Sequence, residues 1–358
     1  MEKDGEPSAE LSQPCTEQTV QVEEDDWSSF MCSGGTAFGR HEVIILRISD
    51  GCRSTMSSTG SACNKSDEEG RRGHQISIHC VSALSPLDMI DMYHGSQDAT
   101  GNRVWTGALL FLEAFARNIP TERNRSTDTC VAIGELPLSA NRTCIATTIQ
   151  TKLCELRSQA FNNKAVIELG CGTGISGISL LAVDKDSPSS VTFTDFDGPA
   201  LDLCKRNCGC NIDDKSKYSI QQLEWGSQLK EGAHPGSYDT VIATDVLYDI
   251  SSLEPLMRTA SELLRIGGYF ILSHIPRASV DGEEETGSVA VARAEVLESL
   301  IVAEGSKHGL YLDSCFRPSE LSLIWNGISL NETSFSDMDE IGAAVLSFCK
   351  QCRHGAVK

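Results

Sequence analysis

The chain of 358 residues has no uninterrupted apolar stretch approaching the roughly 18 residues a membrane-spanning helix needs. Its first residues, MEKDGEPSAELSQ, hold no apolar h-region, so no secretory signal is expected. Bases are scarce: 30 Lys+Arg stand against 50 Asp+Glu, a formal net charge of −20. That imbalance argues against nucleic acid as a partner, because counterion release needs a basic face, and it favours encounter with a basic one. No G-x-S-x-G elbow occurs, which removes the common serine-hydrolase reading. No internal repeat is visible.

Cysteine, by contrast, is plentiful at 15 residues. Without an export signal these read as reduced thiols of a cytoplasmic or nuclear protein. The sequons at Asn64, Asn124, Asn141 and Asn331 then carry no meaning for glycosylation. Cys349-x-x-Cys352 with His354 looks like half a zinc site, but no second C-x-x-C stands at zinc-finger spacing, so no metal is expected.

Residues 1–30 carry nine carboxylates and one Lys, so residues 1–40 are read as a disordered acidic tail. An N-terminal extension over 41–103 holds strand-like HEVIILRIS (41–49) and QISIHCV (75–81), separated by a Ser/Gly-rich insert at 51–73. VWTGALLFLEAFAR (104–117) places Trp105, Leu109, Leu112 and Ala116 at helical spacing. Residues 119–150 show weak periodicity and receive no element; a surface insert is expected over about 119–163.

From Lys164 the pattern alternates. Strands are expected at 164–169, 191–195, 218–223, 238–245, 269–275, 310–316 and 342–349, with helices at 175–183, 199–211, 252–268 and 291–305. Such alternation predicts an α/β fold: a doubly wound, mostly parallel sheet over 104–350, with its site beyond the carboxyl ends of the strands.

Where the first of these strands meets its helix stands Glu168-Leu-Gly170-Cys171-Gly172-Thr-Gly174. Glycine there permits positive φ and close approach of a ligand to the backbone. Read from Gly172 the string also satisfies G-x-G-x-x-G, with Asp195 about twenty residues on, so a dinucleotide site is a live reading. A carboxylate two residues before the first glycine tilts the choice. Glu168 suits an ammonium group, whereas a pyrophosphate would be repelled by it. S-adenosylmethionine has the ammonium and no phosphate, and Asp195 would hold the ribose hydroxyls in either case.

The companions of the loop carry a resemblance. Val104-Trp105, V-I-E-L-G-C-G-T-G-I-S-G (166–177), F-T-D (193–195), R-N (206–207), L-E-W-G (223–226) and A-T-D-V-L-Y (243–248) resemble the seven-strand (class I) S-adenosylmethionine-dependent methyltransferases, within them the protein-lysine group called family sixteen. The likeness covers about 103–316. It implies a Rossmann-like seven-stranded sheet and S-adenosyl-L-methionine as cofactor. It further implies that Trp105 packs near the methionine end, that Gly170, Cys171 and Gly172 line the amino-acid part with Glu168 and Gly174 completing the loop, that Asp195 binds the ribose, that Trp225 covers the adenine, and that Thr244 contributes its backbone. Asp245 and Tyr248, of the D-x-x-Y signature, are the implied catalytic pair. A carboxylate at a strand end can hold or deprotonate an ammonium, and an aromatic face can wall an amine channel. The implied reaction is methyl transfer to a protein lysine; the acidic charge adds the expectation of a basic protein substrate, and a monomer is expected. Transfer to a protein histidine and a non-catalytic cofactor-binding scaffold remain as alternatives.

Overall fold

Short runs of β-branched and aromatic residues alternate with helices along most of the chain, and their pairing fixes where a site can lie. The computed structural model describes residues 18–20, 41–48, 74–81, 100–117, 138–183, 186–228, 234–276, 288–325, 327, 329 and 334–351. The strands are β1 Gln18–Val20, β2 His41–Ile48, β3 His74–Val81, β4 Ala165–Leu169, β5 Ser190–Asp195, β6 Tyr218–Gln222, β7 Tyr238–Thr244, β8 Leu264–His274, β9 Leu310–Phe316 and β10 Ala344–Lys350. The helices are α1 Thr106–Phe115, α2 Leu138–Phe161, α3 Ile175–Ala182, α4 Gly198–Asn211, α5 Leu253–Leu263, α6 Ser288–Lys307, α7 Pro318–Trp325 and α8 Phe335–Glu340.

Seven strands form one sheet in the order β6-β5-β4-β7-β8-β10-β9. The pairs from β6 to β8 are parallel, and β10 runs antiparallel to both β8 and β9. This is the doubly wound architecture expected from the alternation, with a reversed strand at one side. Parallel strands buried on both faces read as continuous apolar runs, and β4 and β7 do so. Successive residues alternate between two cores. Val166, Phe193, Ile242 and Ile271 face α1, α2 and α3, while Ile167, Leu169, Val241 and Leu272 face α5 and α6. Chain order reverses between β4 and β7, so the carboxyl ends of those strands open the crevice where ligands bind in such sheets.

A second sheet, β1-β2-β3, is antiparallel. It docks through two asparagines of α4. Asn211 accepts from Ser77 N at 2.7 Å and donates to Ser77 O at 2.7 Å. Asn207 does the same for His79, at 2.8 Å and 3.0 Å.

Several expectations need correction. Gln18–Val20 pairs with β2 and is not part of an unstructured tail; the rest of 1–40, and the insert at 51–73, lie outside the described residues. The insert expected at 119–163 contains the 24-residue helix α2, whose Leu153, Leu156, Ala160 and Phe161 are buried. Phe161 meets Phe111 and Phe115 with ring centroids 6.2 and 5.3 Å apart. The helix expected at 252–268 stops at Leu263. The stretch from Leu264 already belongs to β8, and the Gly pair makes a bulge in it: Gly267 has φ +77°, and the register slips between Tyr238 and Thr240. Two short helices, α7 and α8, separate β9 from β10 where no element was assigned. Among the described residues no helix is long and apolar enough to cross a membrane.

Candidate active site

The glycine loop leaves β4 through two positive-φ glycines, Gly170 at +66° and Gly172 at +49°. Both are crowded as well as strained. A Cβ on Gly170 would lie 2.9 Å from Val246 Cγ1 and 3.1 Å from the Trp225 ring. One on Gly172 would lie 2.8 Å from the Gly101 carbonyl. The loop is therefore closed from above by the turn at 100–102 and from the side by the Trp225 indole. Trp225 is itself fixed through Gly226, whose N–H donates to Thr259 Oγ1 at 2.9 Å and whose carbonyl accepts from Arg258 at 2.9 Å.

Asp195, at the end of β5, is buried. Its Oδ2 accepts from Gly172 N at 3.0 Å and its Oδ1 from Asp197 N at 3.1 Å. Burial pushes this carboxyl above its ordinary range, opposed by those two hydrogen bonds. Thr244, at the end of β7, bonds Ser176 through its hydroxyl at 3.0 Å. That occupies its side chain and leaves its backbone to line the crevice.

Asp245 follows in the left-handed region, φ +57°, an uncommon conformation for a residue with a side chain. Its Oδ2 accepts from Gly107 N at 3.0 Å. Gly107 lies in the first turn of α1, whose N-cap residue Trp105 supplies no side-chain cap. The Asp245 carboxyl therefore sits at the amino end of a helix from a different part of the chain, where the helix dipole favours negative charge.

These residues converge on one cleft of about 560 Å³. Of the eleven residues singled out from the sequence, nine line it: Trp105, Gly170, Cys171, Gly172, Asp195, Trp225, Thr244, Asp245 and Tyr248. Tyr248 stands at the mouth, 54% exposed, together with Phe196 at 51%. Glu168 and Gly174 do not line it. Gly174 is the positive-φ N-cap of α3. Glu168 is wholly buried and turns away from the cleft, its Oε2 accepting from Gly177 N at 3.0 Å in the first turn of α3. Burial pushes its carboxyl up to about 8.

Three further residues without an assigned role line the cleft: Arg103, its one basic side chain among the described residues, Phe196 and Glu224. Arg103 stacks on the Trp105 ring at 4.9 Å, and its only signal was its place two residues before Trp105. Cys171 lines the cleft but is no nucleophile: burial pushes its thiol up to about 11.

The donor set discriminates between ligands. In a dinucleotide site the amino end of the helix after the glycine loop receives the pyrophosphate. Here the Glu168 carboxyl already occupies that end. The cleft wall offers Asp195, Asp197, Glu224 and Asp245 against the single Arg103. That balance suits a ligand bearing cationic groups.

Residues 88–285, more than half of the chain, match the family described as lysine methyltransferase. A mouse (Mus musculus) protein, EEF1A lysine methyltransferase 3, is 32% identical over 129 residues, 36% of this chain and 53% of that one. Part of the hybrid PKS-NRPS synthetase tasS of Hapsidospora irregularis is 34% identical over 110 residues, 31% of this chain and 3% of that one. The chain thus spans about half the length of the first relative and a small fraction of the second. Among solved structures, magnesium protoporphyrin IX methyltransferase of Synechocystis PCC 6803, with bound SAH, aligns at 14% identity and a TM-score of 0.37, over 62% of this chain and 90% of that one.

Proposed function

We propose that this chain, which belongs to the lysine methyltransferase family, transfers a methyl group from S-adenosylmethionine to the ε-amine of a lysine in a protein. The observation that carries the proposal is Asp245, held at positive φ and oriented by the Gly107 amide, in the same cleft as the glycine loop.

The residues present fit the cofactor: Gly170 and Gly172 give a backbone cradle that a side chain would fill, and Asp195, at the end of β5 beside that cradle, offers a carboxylate for the ribose hydroxyls. Trp225 lies against the loop at Gly170, where it can cover the adenine, and Trp105, stacked by Arg103, also lines the cleft. When bound, S-adenosylmethionine supplies an electrophilic methyl on a sulfonium. The protein's contribution is position and protonation state. Asp245 meets the incoming ammonium and takes up its charge and proton. Tyr248, aromatic and exposed at the mouth, lines the path of the amine by cation–π contact. An amine drawn from water into the cleft is more easily deprotonated, and its neutral form is the nucleophile. Positioning the amine against the cofactor's methyl, with water excluded, is the contribution these residues would make to rate.

The acidic surface supports a basic protein as the acceptor. Of the net −20, residues 1–30 contribute −8 (nine acids, one base), which leaves −12 for residues 31–358. The test is transfer of labelled methyl from S-adenosylmethionine into an extract of cells lacking the enzyme, with mass spectrometry of the product. Label on lysine is the expected result, and label on histidine alone, or none, overturns the reading.

A further inference from the structure

Three hydrogen bonds close a ring behind the cleft. Asp245 N donates to Ser273 O at 2.8 Å, Ser273 Oγ donates to Gly107 O at 2.6 Å, and Gly107 N donates to Asp245 Oδ2 at 3.0 Å. The ring joins three elements: the end of β7, the end of β8 and the first turn of α1. Thr244 and Ser273 are the last paired residues of the parallel β7–β8 ladder. Beyond them the Ser273 carbonyl continues the ladder to Asp245, and its hydroxyl reaches across to α1.

We propose that Ser273 is a positioning residue for Asp245: its hydroxyl pins the first turn of α1, and the Gly107 amide thereby fixes the carboxyl in the orientation that meets the acceptor. The inference rests on the reading of Asp245 as the group that meets the amine.

Two features make the ring more than a satisfied core hydroxyl. First, it has no slack. A Cβ on Gly107 would lie 2.6 Å from Asp245 Cβ and 3.2 Å from Asp245 Cα, so α1 and the left-handed turn are already in contact at this point. A small displacement of the helix moves the carboxyl. Second, the same turn of α1 starts from Trp105, which also lines the cleft, and the Trp105 carbonyl accepts from Ala108 N at 3.0 Å. One hydroxyl thus ties the turn that carries Trp105 to the turn that carries Asp245. Ser273 is fully buried and does not itself line the cleft, so it reaches the chemistry only through these partners.

The test compares Ser273→Ala and Ser273→Thr with the wild-type full chain. The readouts are the rate of label transfer from saturating S-adenosylmethionine into an extract of cells lacking the enzyme, the affinity for S-adenosylhomocysteine by calorimetry, and the Gly107 amide resonance in ¹⁵N-glycine-labelled protein. For Ser273→Ala the rate falls about tenfold or more, as misplacement of a reacting group by a fraction of an ångström does. The affinity stays at the wild-type value and the Gly107 resonance moves. Ser273→Thr, which keeps the hydroxyl, restores both rate and resonance. A Ser273→Ala protein with the wild-type rate overturns the proposal, as does one in which rate and affinity fall together. Full activity of Ser273→Ala beside an inactive Asp245→Asn removes the role of Ser273 alone. Full activity of Asp245→Asn removes the functional reading of Asp245 and this inference with it.

Discussion

Asn207 takes the place of a neighbouring strand for His79: its amide accepts from the His79 N–H and donates to the His79 carbonyl, as a paired backbone would. The same Nδ2 donates to Thr173 O at 2.9 Å, inside the glycine loop. One fully buried side chain therefore ties the N-terminal hairpin to the cofactor cradle. Asn207→Asp keeps the shape, removes both donated bonds and buries a charge. We expect a loss of about 3 kcal/mol in urea unfolding, the scale for stranding buried polar groups. A change below about 0.5 kcal/mol, the range of ordinary surface substitutions, would show that the hairpin docks by its apolar face alone.

Gly172→Ala tests the cradle. The added methyl meets the Gly101 carbonyl at 2.8 Å at a φ of +49°, and the loop must shift away from Asp195, whose Oδ2 its N–H now reaches. Calorimetry with S-adenosylhomocysteine should show binding weakened at least tenfold, about 1.4 kcal/mol. Gly198→Ala, where a Cβ meets nothing within 4 Å, is the control and should bind normally.

Glu168 makes stability depend on pH. Its folded value near 8 lies above the ordinary 4.5, so the folded state keeps a proton that the unfolded chain releases. That contribution to stability is fully present below about 4.5 and declines as pH rises towards 8, by about 1 kcal/mol per pH unit. Glu168→Gln cannot release the proton. Relative to wild type, its stability in urea should improve progressively from pH 5 to pH 8. Parallel profiles for the two proteins would mean that the carboxyl is ionised in the fold.

Asp245→Asn separates chemistry from conformation. Asn tolerates the left-handed region, so the turn at φ +57° survives, whereas Asp245→Ala adds strain of about 1 kcal/mol there. The Asn variant should bind S-adenosylhomocysteine as wild type does and lose about 10²-fold or more in methyl transfer, the scale of a positioned acid–base group. Loss of binding together with loss of transfer would point to a collapsed cleft.

Much of the site was legible because its parts are local. The glycine loop, Asp195, Trp225 and the D-V-L-Y turn each follow a strand end, and strand ends can be read from apolar runs. The direction of Glu168 was not legible. Its side chain alternates with its neighbours and faces α3 from below, a consequence of where the strand lies in the sheet. The part played by Gly107 was hidden too, since Asp245 is 138 residues away. Helix α2 escaped notice because it has little apolar contrast. Thr148 and Thr151 return their hydroxyls to the carbonyls of Cys144 and Thr147, and the aromatic contact to Phe111 and Phe115 comes from Phe161 at its end. In β8, a Gly pair that reads as a helix stop serves instead as a bulge, because Gly268 lies against the Asp239 carbonyl where a Cβ would stand 2.7 Å away.

Because β10 fills the gap between β8 and β9, the order of synthesis matters for this chain. When the ribosome has translated as far as β9, the parallel strands and their helices can already associate, yet β8 presents an open flank with Ile271 and Leu272 beside it. The strand order leaves that flank unpaired until residues 344–350 are available to fill the slot. A message truncated shortly before Ala344 would release a near-complete domain with a permanent sticky edge, which another copy can pair with. Selection against premature stop codons should therefore be severe just upstream of β10, on grounds of aggregation as much as lost catalysis.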